Sequence, residues 1–542
     1  MATSDEPSET RPPAASSEPG SIRNPKDPND VTRWSVPPDD IRVLDTSAMP
    51  RVRGLSPLPT VYVGSHLLVA NNRDLATTIN LLQEVADPFH WTISEDPAGA
   101  KPGTENLEFG VTRLLITVKP GEPALPPDAF ALLQHGRASR KVEEFSDIGL
   151  DHVLVNNEFD PLPYHFPLAF GPAPYHFPLS DGSGPSAALM TYLQRGSGAR
   201  QPVSYVGAPP NRRSLKELGC RRPVVAVLDT GCASHDWFAG LPGEDPVVDK
   251  GVKLDNVPIG AYDPSTEPDL MTGDLTGPLD GEIDDVSGHG TFIAGLIHQT
   301  CPDADIVAWR VVPSAGPILE YDVLTALAQI AELAAREAAD PTTGHRIDVL
   351  SLSLGYYHET PHDLKLDHKM LDIIRKLTQA GVLVVCSAGN DATSRPMFPA
   401  AFAPWNGEDN PFTEERGILP VVSVAALNPN LKTDALFSNT GSWVRAYAEG
   451  ASVMSTMPPT FEGGLQPMAA TTFEGRDRAS IDPDDFRGGF AVWSGTSFAA
   501  PVIAGRIAQE LLASLMEGGE DHTDARIERC KAAVEACTDI TG

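Results

Sequence analysis

Four polar residues in this chain have the types and local settings that an activated serine nucleophile needs. Ser497 follows Ser494-Gly495-Thr496 and opens the apolar stretch Phe498-Ala499-Ala500-Pro501-Val502-Ile503-Ala504-Gly505. At a helix start its hydroxyl stands among backbone N–H groups that lack intrahelical partners. A serine hydroxyl attacks well only when a base removes its proton. His289, in Gly288-His289-Gly290-Thr291, is the candidate base, with glycines on both sides that let another backbone come close. Asp229, in Asp229-Thr230-Gly231 directly after the apolar run 224–228, is the candidate acid that holds the imidazole in one tautomer. The anion formed at the attacked carbonyl needs donors, and Asn390, closing Ser387-Ala388-Gly389-Asn390, offers a side-chain amide beside the Ser497 backbone N–H. The chemistry open to these four is acyl transfer through a covalent serine intermediate.

Each motif alone is weak. Asp-Thr-Gly also marks aspartic proteases, but those need two such aspartates, and the chain has one, in an α/β setting. Glycine-flanked histidines and Gly-Thr-Ser turns are common. The joint occurrence of all four carries the weight.

The elements that must position them alternate. Apolar runs at 224–228, 305–312, 347–354, 381–386 and 419–424 read as strands buried on both faces. Between them, 319–338 and 363–379 read as amphipathic helices. The expected class is α/β, a parallel sheet covered by helices. Ligands of such sheets bind beyond the carboxyl ends of the strands, where Asp229 and Asn390 fall.

The order Asp229, His289, Asn390, Ser497 resembles the subtilase family over residues 223–505. The likeness extends to His235, to Ser351-Leu352-Ser353-Leu354-Gly355, and to Phe437-Ser438-Asn439-Thr440-Gly441-Ser442-Trp443 leading into Ala448-Glu449-Gly450. It implies a subtilisin-like fold and a serine-type endopeptidase. In it Ser497 is the nucleophile, His289 the general base and then acid, Asp229 the orienting acid and Asn390 the oxyanion donor. It also implies that Ser353, Leu354 and Gly355 bind extended substrate main chain to main chain. Phe498 and Val502 stand where members commonly have Met and His, and Glu449 replaces a common Pro. The long segment 457–489 is expected to shape or cover the cleft. Calcium, bound by many members, has candidate ligands in Asp280, Glu282, Asp284 and Asp285, without the spacing of a recognised calcium loop. No other cofactor is expected.

The rest of the chain divides by composition. Residues 1–45 read as a disordered arm rich in Pro, Ser and acidic residues. Residues 46–159 read as a small α+β module, with strands near 60–63, 112–118 and 153–155 and helices near 74–85 and 128–140. Residues 160–215 read as a Pro/Gly-rich linker holding an echo, Pro163-Tyr164-His165-Phe166-Pro167-Leu168 and Pro174-Tyr175-His176-Phe177-Pro178-Leu179, whose histidines fit packing or partner recognition better than metal ligation. The catalytic domain is expected over 216–520 and a helical tail over 521–542. In position, the module matches the pro-regions that subtilases use, and it is expected to contact or restrain the catalytic domain, with cleavage in 160–214. The competing expectation is a regulated or dedicated protease whose N-terminal region is a partner-binding or sensor module.

With 41 Lys+Arg against 73 Asp+Glu the net charge is -32, which argues against nucleic acid or anionic lipid as a partner. A protein or peptide substrate is expected. The six cysteines are too sparse for a disulfide scaffold, and Cys232, close to Asp229, is expected to be buried and inert. No secretory core is seen near Met1 and no stretch of about eighteen apolar residues, so the expected location is cytoplasmic.

Overall fold

The computed structural model describes residues 40–45, 50–99, 109–156, 199–239, 252–260, 286–312, 318–361, 369–407, 418–518 and 521–540, with isolated positions at 104, 107, 192, 245, 246, 283 and 284. The N-terminal part contains β1 (Ile41–Val43), β2 (Val61–Ala70), α1 (Leu75–Ala86), β3 (Trp91–Glu95), β4 (Val111–Val118), α2 (Ala129–Ser139) and β5 (Ile148–Asn156). Both helices start at an aspartate whose carboxylate accepts a first-turn N–H, Asp74 from Thr77 and Asp128 from Ala131. Their apolar faces, with Leu82, Phe130 and Leu133, close over an antiparallel sheet carrying Leu67, Leu114 and Leu150.

The larger part begins with β6 (Gln201–Pro202) and a short helix α3 (Leu215–Leu218). It continues through β7 (Val224–Asp229), the ribbon β8 (Lys253–Leu254) and β9 (Val257–Pro258), α4 (His289–Thr300), β10 (Asp305–Arg310), β11 (Ile318–Leu319) and α5 (Glu320–Ala339). Next come β12 (Val349–Leu352), β13 (Leu354–Gly355), α6 (Lys369–Gln379), β14 (Leu383–Ser387), β15 (Val422–Leu427), β16 (Ala446–Glu449), β17 (Val453–Thr456), β18 (Ala470–Phe473), β19 (Arg476–Ala479) and β20 (Phe490–Trp493). Two helices close the chain, α7 (Thr496–Met516) and α8 (Thr523–Cys537). Six strands form a wholly parallel sheet in the order β10-β7-β12-β14-β15-β16.

The pleat sorts its side chains by twos. Val225 and Val227 face α4, α7 and α8, whereas Ala226 and Leu228 face α5 and α6. All four are almost wholly buried, each Val or Leu among them worth about 1.5–3 kcal/mol relative to exposure. Such two-sided burial is why these strands read as unbroken apolar runs. The chain is thus α/β, with a parallel sheet flanked by helices and a preceding α+β part.

Three features differ from the sequence expectations. Ile41–Val43 already pairs with β2, so the sheet starts inside the stretch read as an arm. Residues 199–213, read as linker, lie against the larger part: β6 pairs with β20, Arg212 donates to the carbonyls of Pro302 and Ala304, and Arg213 pairs with Asp303. One helix, α7, is long and apolar enough to cross a membrane by length and composition alone, contrary to the absence expected, but it is mostly buried against α4, α8 and the sheet. It is a core helix.

Beyond its pairing with β2, the end of β5 leaves the module. Leu154 and Val153 pair with Ile318 and Leu319, and Asn156 and Val155 pair with Leu354 and Gly355, both antiparallel. The edge expected to take substrate therefore carries a strand of this same chain.

Candidate active site

Asp229 is the last residue of β7 and His289 the first of α4. The His289 Nδ1 lies 2.8 Å from the Asp229 Oδ1, which also accepts the Thr230 N–H at 2.7 Å. Both side chains are essentially closed to solvent, at 1% and 0%. The turn after β7 lies directly on the helix start, where the Gly290 N–H donates to Thr230 Oγ1 at 2.8 Å. A Cβ at Gly290 would stand 2.1 Å from the Gly231 carbonyl oxygen, so glycine is required by contact rather than by backbone angle. Thr291 adds a second tie by accepting the Ala233 N–H. With Nδ1 on the carboxylate, Nε2 is the ring nitrogen left over, and it is buried without a hydrogen-bond partner among the described residues.

Ser497 is the second residue of α7, at the positive end of a 21-residue helix. Its Oγ lies 3.5 Å from the Ser353 carbonyl oxygen, and the Ser353 hydroxyl donates to the Ser497 carbonyl at 3.0 Å. The next side chain, Phe498, meets the His289 ring at 5.2 Å, Phe292 at 4.6 Å and Trp493 at 5.2 Å. Where Met was expected from the resemblance, an aromatic cluster backs the histidine. Glu449, the other departure, pairs with Arg506 on α7.

The Asn390 Oδ1 accepts both the Thr496 N–H at 2.9 Å and the Thr496 hydroxyl at 2.8 Å. A planar amide held by its oxygen turns its NH₂ away from Thr496. The loop carrying it is pinned by Asn439, whose Nδ2 donates to the Ala388 carbonyl and whose Oδ1 accepts the N–H groups of Asp391 and Thr393. Asn439 and Thr496 belong to motifs visible in the sequence, but their positioning contacts were not anticipated.

Other expected residues fall apart from this cluster or outside the described residues. His235 Nε2 donates to the Gly489 carbonyl at 2.8 Å, and burial lowers its proton affinity, so it braces the segment before β20. Cys232 is buried, and the six cysteines are free thiols. Of the acidic cluster proposed for calcium only Asp284 is described, and His165 and His176 lie outside the described residues.

A second polar cluster, unforeseen from sequence, lies where β5 meets the larger part. His152 is fully buried, with Nδ1 at 2.5 Å from Glu320 and Nε2 at 2.9 Å from Glu359. Burial opposes the charge on the ring, yet the two carboxylates outweigh it and raise His152 to about 10. His358 brings a third ligand-type atom within 4.8 Å, but its Nδ1 lone pair accepts the Thr360 N–H at 2.9 Å. Both His152 nitrogens are likewise engaged, by Glu320 and Glu359, so those three residues form a buried hydrogen-bonded triad in which the imidazole lone pairs are not free to take a metal. Nearby Asp151 accepts the Tyr321 N–H, and burial raises its carboxyl to about 7.

Residues 221–520, more than half of the chain, match the model of the Subtilase family. The chain belongs to the subtilase family. Members of this family are serine endopeptidases. The chain is 28% identical to the minor extracellular protease Epr of Bacillus subtilis (strain 168) over 233 residues, 41% of this chain and 29% of that protein, so it spans under a third of that relative's length. It is 25% identical to an intracellular serine protease of Paenibacillus polymyxa over 322 residues, 56% of this chain and 71% of that one. A cold adapted subtilisin-like serine proteinase of known structure aligns at a TM-score of 0.31 and 20% identity, covering 58% of this chain and 83% of that one; the family assignment rests on the sequence match.

Proposed function

We propose that this subtilase hydrolyses internal peptide bonds of protein or peptide substrates, with Ser497 as nucleophile, His289 as general base and then acid, Asp229 as orienting acid and Asn390 as oxyanion donor. The observation that carries the proposal is the buried Asp229–His289 pair, 2.8 Å apart, with the second ring nitrogen unpartnered beside the helix start that bears Ser497. Attack by Oγ passes its proton to Nε2 and forms the tetrahedral anion. Collapse returns that proton to the leaving amine and leaves an acyl-serine for water to hydrolyse. Ser353, Leu354 and Gly355 hold the substrate as an added strand once β5, which pairs with Leu354 and Gly355, has left that edge. A cytoplasmic location belongs to the same proposal, supported by the intracellular relative. Cleavage of a peptide library by the wild type, absent from Ser497→Ala, is the expected outcome; equal cleavage by both would refute the assignment of Ser497.

A second reading concerns restraint, favoured by the pairing of β5 with Leu354 and Gly355. In it the module's last strand holds the substrate edge, and self-processing falls just after Asn156, earlier than the 160–214 window expected from composition. Its test is intact mass. The wild type is expected to yield a fragment ending shortly after Asn156 while Ser497→Ala stays whole, and a wild type that stays whole contradicts it. No observation raises the sensor-module alternative above this.

A further inference from the structure

Arg200 lies upstream of the family-matched residues, yet it touches the supports of both His289 and Ser497. Its Nη1 donates to the carbonyl oxygens of Asp284 at 3.0 Å and Ser287 at 3.2 Å, and its Nη2 to that of Ile283 at 2.9 Å. Those carbonyls belong to the turn that delivers His289: the Ser287 N–H donates to Asp284 and the His289 N–H to Val286. On its other side the guanidinium lies over the Trp493 ring, 4.9 Å from its centroid. Trp493 ends β20, four residues before Ser497, and its indole meets the His289 ring edge-on at 5.9 Å.

The contact is held in register. Gln201 and Pro202 pair with Val492 and Ala491, and the Val203 N–H donates to the Phe490 carbonyl. A planar five-donor fork over an aromatic face suits three converging carbonyls, and a lysine ammonium does not reproduce that geometry. Charge-assisted bonds of this kind are among the stronger hydrogen bonds.

We propose that Arg200 is a positioning residue for the catalytic pair, clamping the turn that presents His289 to the strand that presents Ser497. The proposal rests on the hydrolytic reading above. It has a corollary for processing: the active part must keep Arg200, so functional cleavage falls between Asn156 and Arg200.

The test uses the full chain as wild type, Arg200→Ala and Arg200→Lys. The rate of Ser497 labelling by a fluorophosphonate is measured with kcat and KM on a chromogenic peptide, with and without millimolar guanidinium. Arg200→Ala is expected to slow labelling and kcat about tenfold or more, as the loss of charge-assisted bonds implies, with KM little changed. Added guanidinium is expected to recover part of that rate, and Arg200→Lys to fall between. Labelling of Arg200→Ala at the wild-type rate overturns the clamp, as does a loss that merely follows the unfolded fraction and is untouched by guanidinium. If Arg200→Ala does not fold, Arg200→Lys carries the comparison, and wild-type rates in it overturn the proposal. A wild type that does not label indicts the hydrolytic reading instead.

Discussion

The parallel-sheet core and the seam under β5 are both closed to water, but they are built from different materials. Around β7, β12 and β14 most of the buried groups are Val, Leu and Ala, with Asp229, Ser351, Cys386 and Ser387 at or near the strand ends, so most of the cohesion comes from apolar area, which pH does not alter. At the seam His152, Glu320, Glu359 and Asp151 are buried beside the apolar Val153, Leu154, Ile318 and Leu319. Charges in a dry site are costly unless every one is matched, so that seam is specific and easily broken at one point. A core of the first kind suits a permanent scaffold for Asp229 and Ser497, and a seam of the second kind suits a part that docks in one register.

The largest effect separates the two regions by chemistry. Ser497→Ala is expected to lower kcat on the order of a millionfold, the scale for a serine of such a triad, while amide exchange of β5 stays as slow as in the wild type. Loss of β5 protection in that variant would mean that the seam depends on the nucleophile. Next, His152→Ala leaves two buried carboxylates without their cation and is expected to weaken docking of β5 by about 3–5 kcal/mol. Faster exchange in β5, with undiminished fluorophosphonate labelling, is the signature; unchanged exchange would show that the triad is not what holds the module. Asn390→Ala is expected to reduce kcat about 10²–10³-fold with little effect on KM, a scale carried over from a relative's oxyanion donor, and a larger change in KM would argue that Asn390 serves binding.

The seam also titrates. His152 at about 10 lies above its ordinary 6.5, so its contribution is full below about pH 6.5 and is lost as the pH climbs toward 10. Asp151, raised from 3.8 to about 7, acts in the same direction at lower pH, because its charged form is disfavoured in the folded state. Protection of β5 amides, corrected for intrinsic exchange, is therefore expected to fall from pH 6 to pH 9 while the β12 and β14 amides hold. Equal loss in both places would erase the distinction. The smallest effect is Phe498→Met, an apolar exchange expected to cost under about 1.5 kcal/mol and to leave kcat within a few fold; a large loss would make the aromatic backing of His289 part of the chemistry.

The sequence made the scaffold legible where burial on both faces produced unbroken apolar runs, as in Val224–Asp229 and Leu383–Ser387. The four residues proposed for the chemistry stood out because glycine-flanked motifs mark places where backbones must meet, as Gly290 meets Gly231. Shorter strands were missed: β3 mixes Thr, Ser and Glu with its apolar residues, and β6 contains a proline. The seam was hidden because His152, Glu320 and Glu359 are far apart in the chain and each alone is unremarkable. Arg200 was hidden for another reason, since its partners are carbonyl oxygens and one ring, which carry no sequence pattern. Proline and glycine content made 199–213 look like linker, whereas Gln201 and Pro202 pair with β20, Arg212 donates to the Pro302 carbonyl and the Arg213 carbonyl accepts from Arg222.

The central claim, that Ser497 is the activated nucleophile of this site, is tested most directly by treating the folded chain with a fluorophosphonate and mapping the adduct by peptide mass spectrometry. A single adduct on Ser497, lost in Ser497→Ala and strongly slowed in His289→Ala, is the predicted result. A folded wild type that carries no adduct on Ser497, or carries it at a rate unaffected by His289→Ala, would contradict the account.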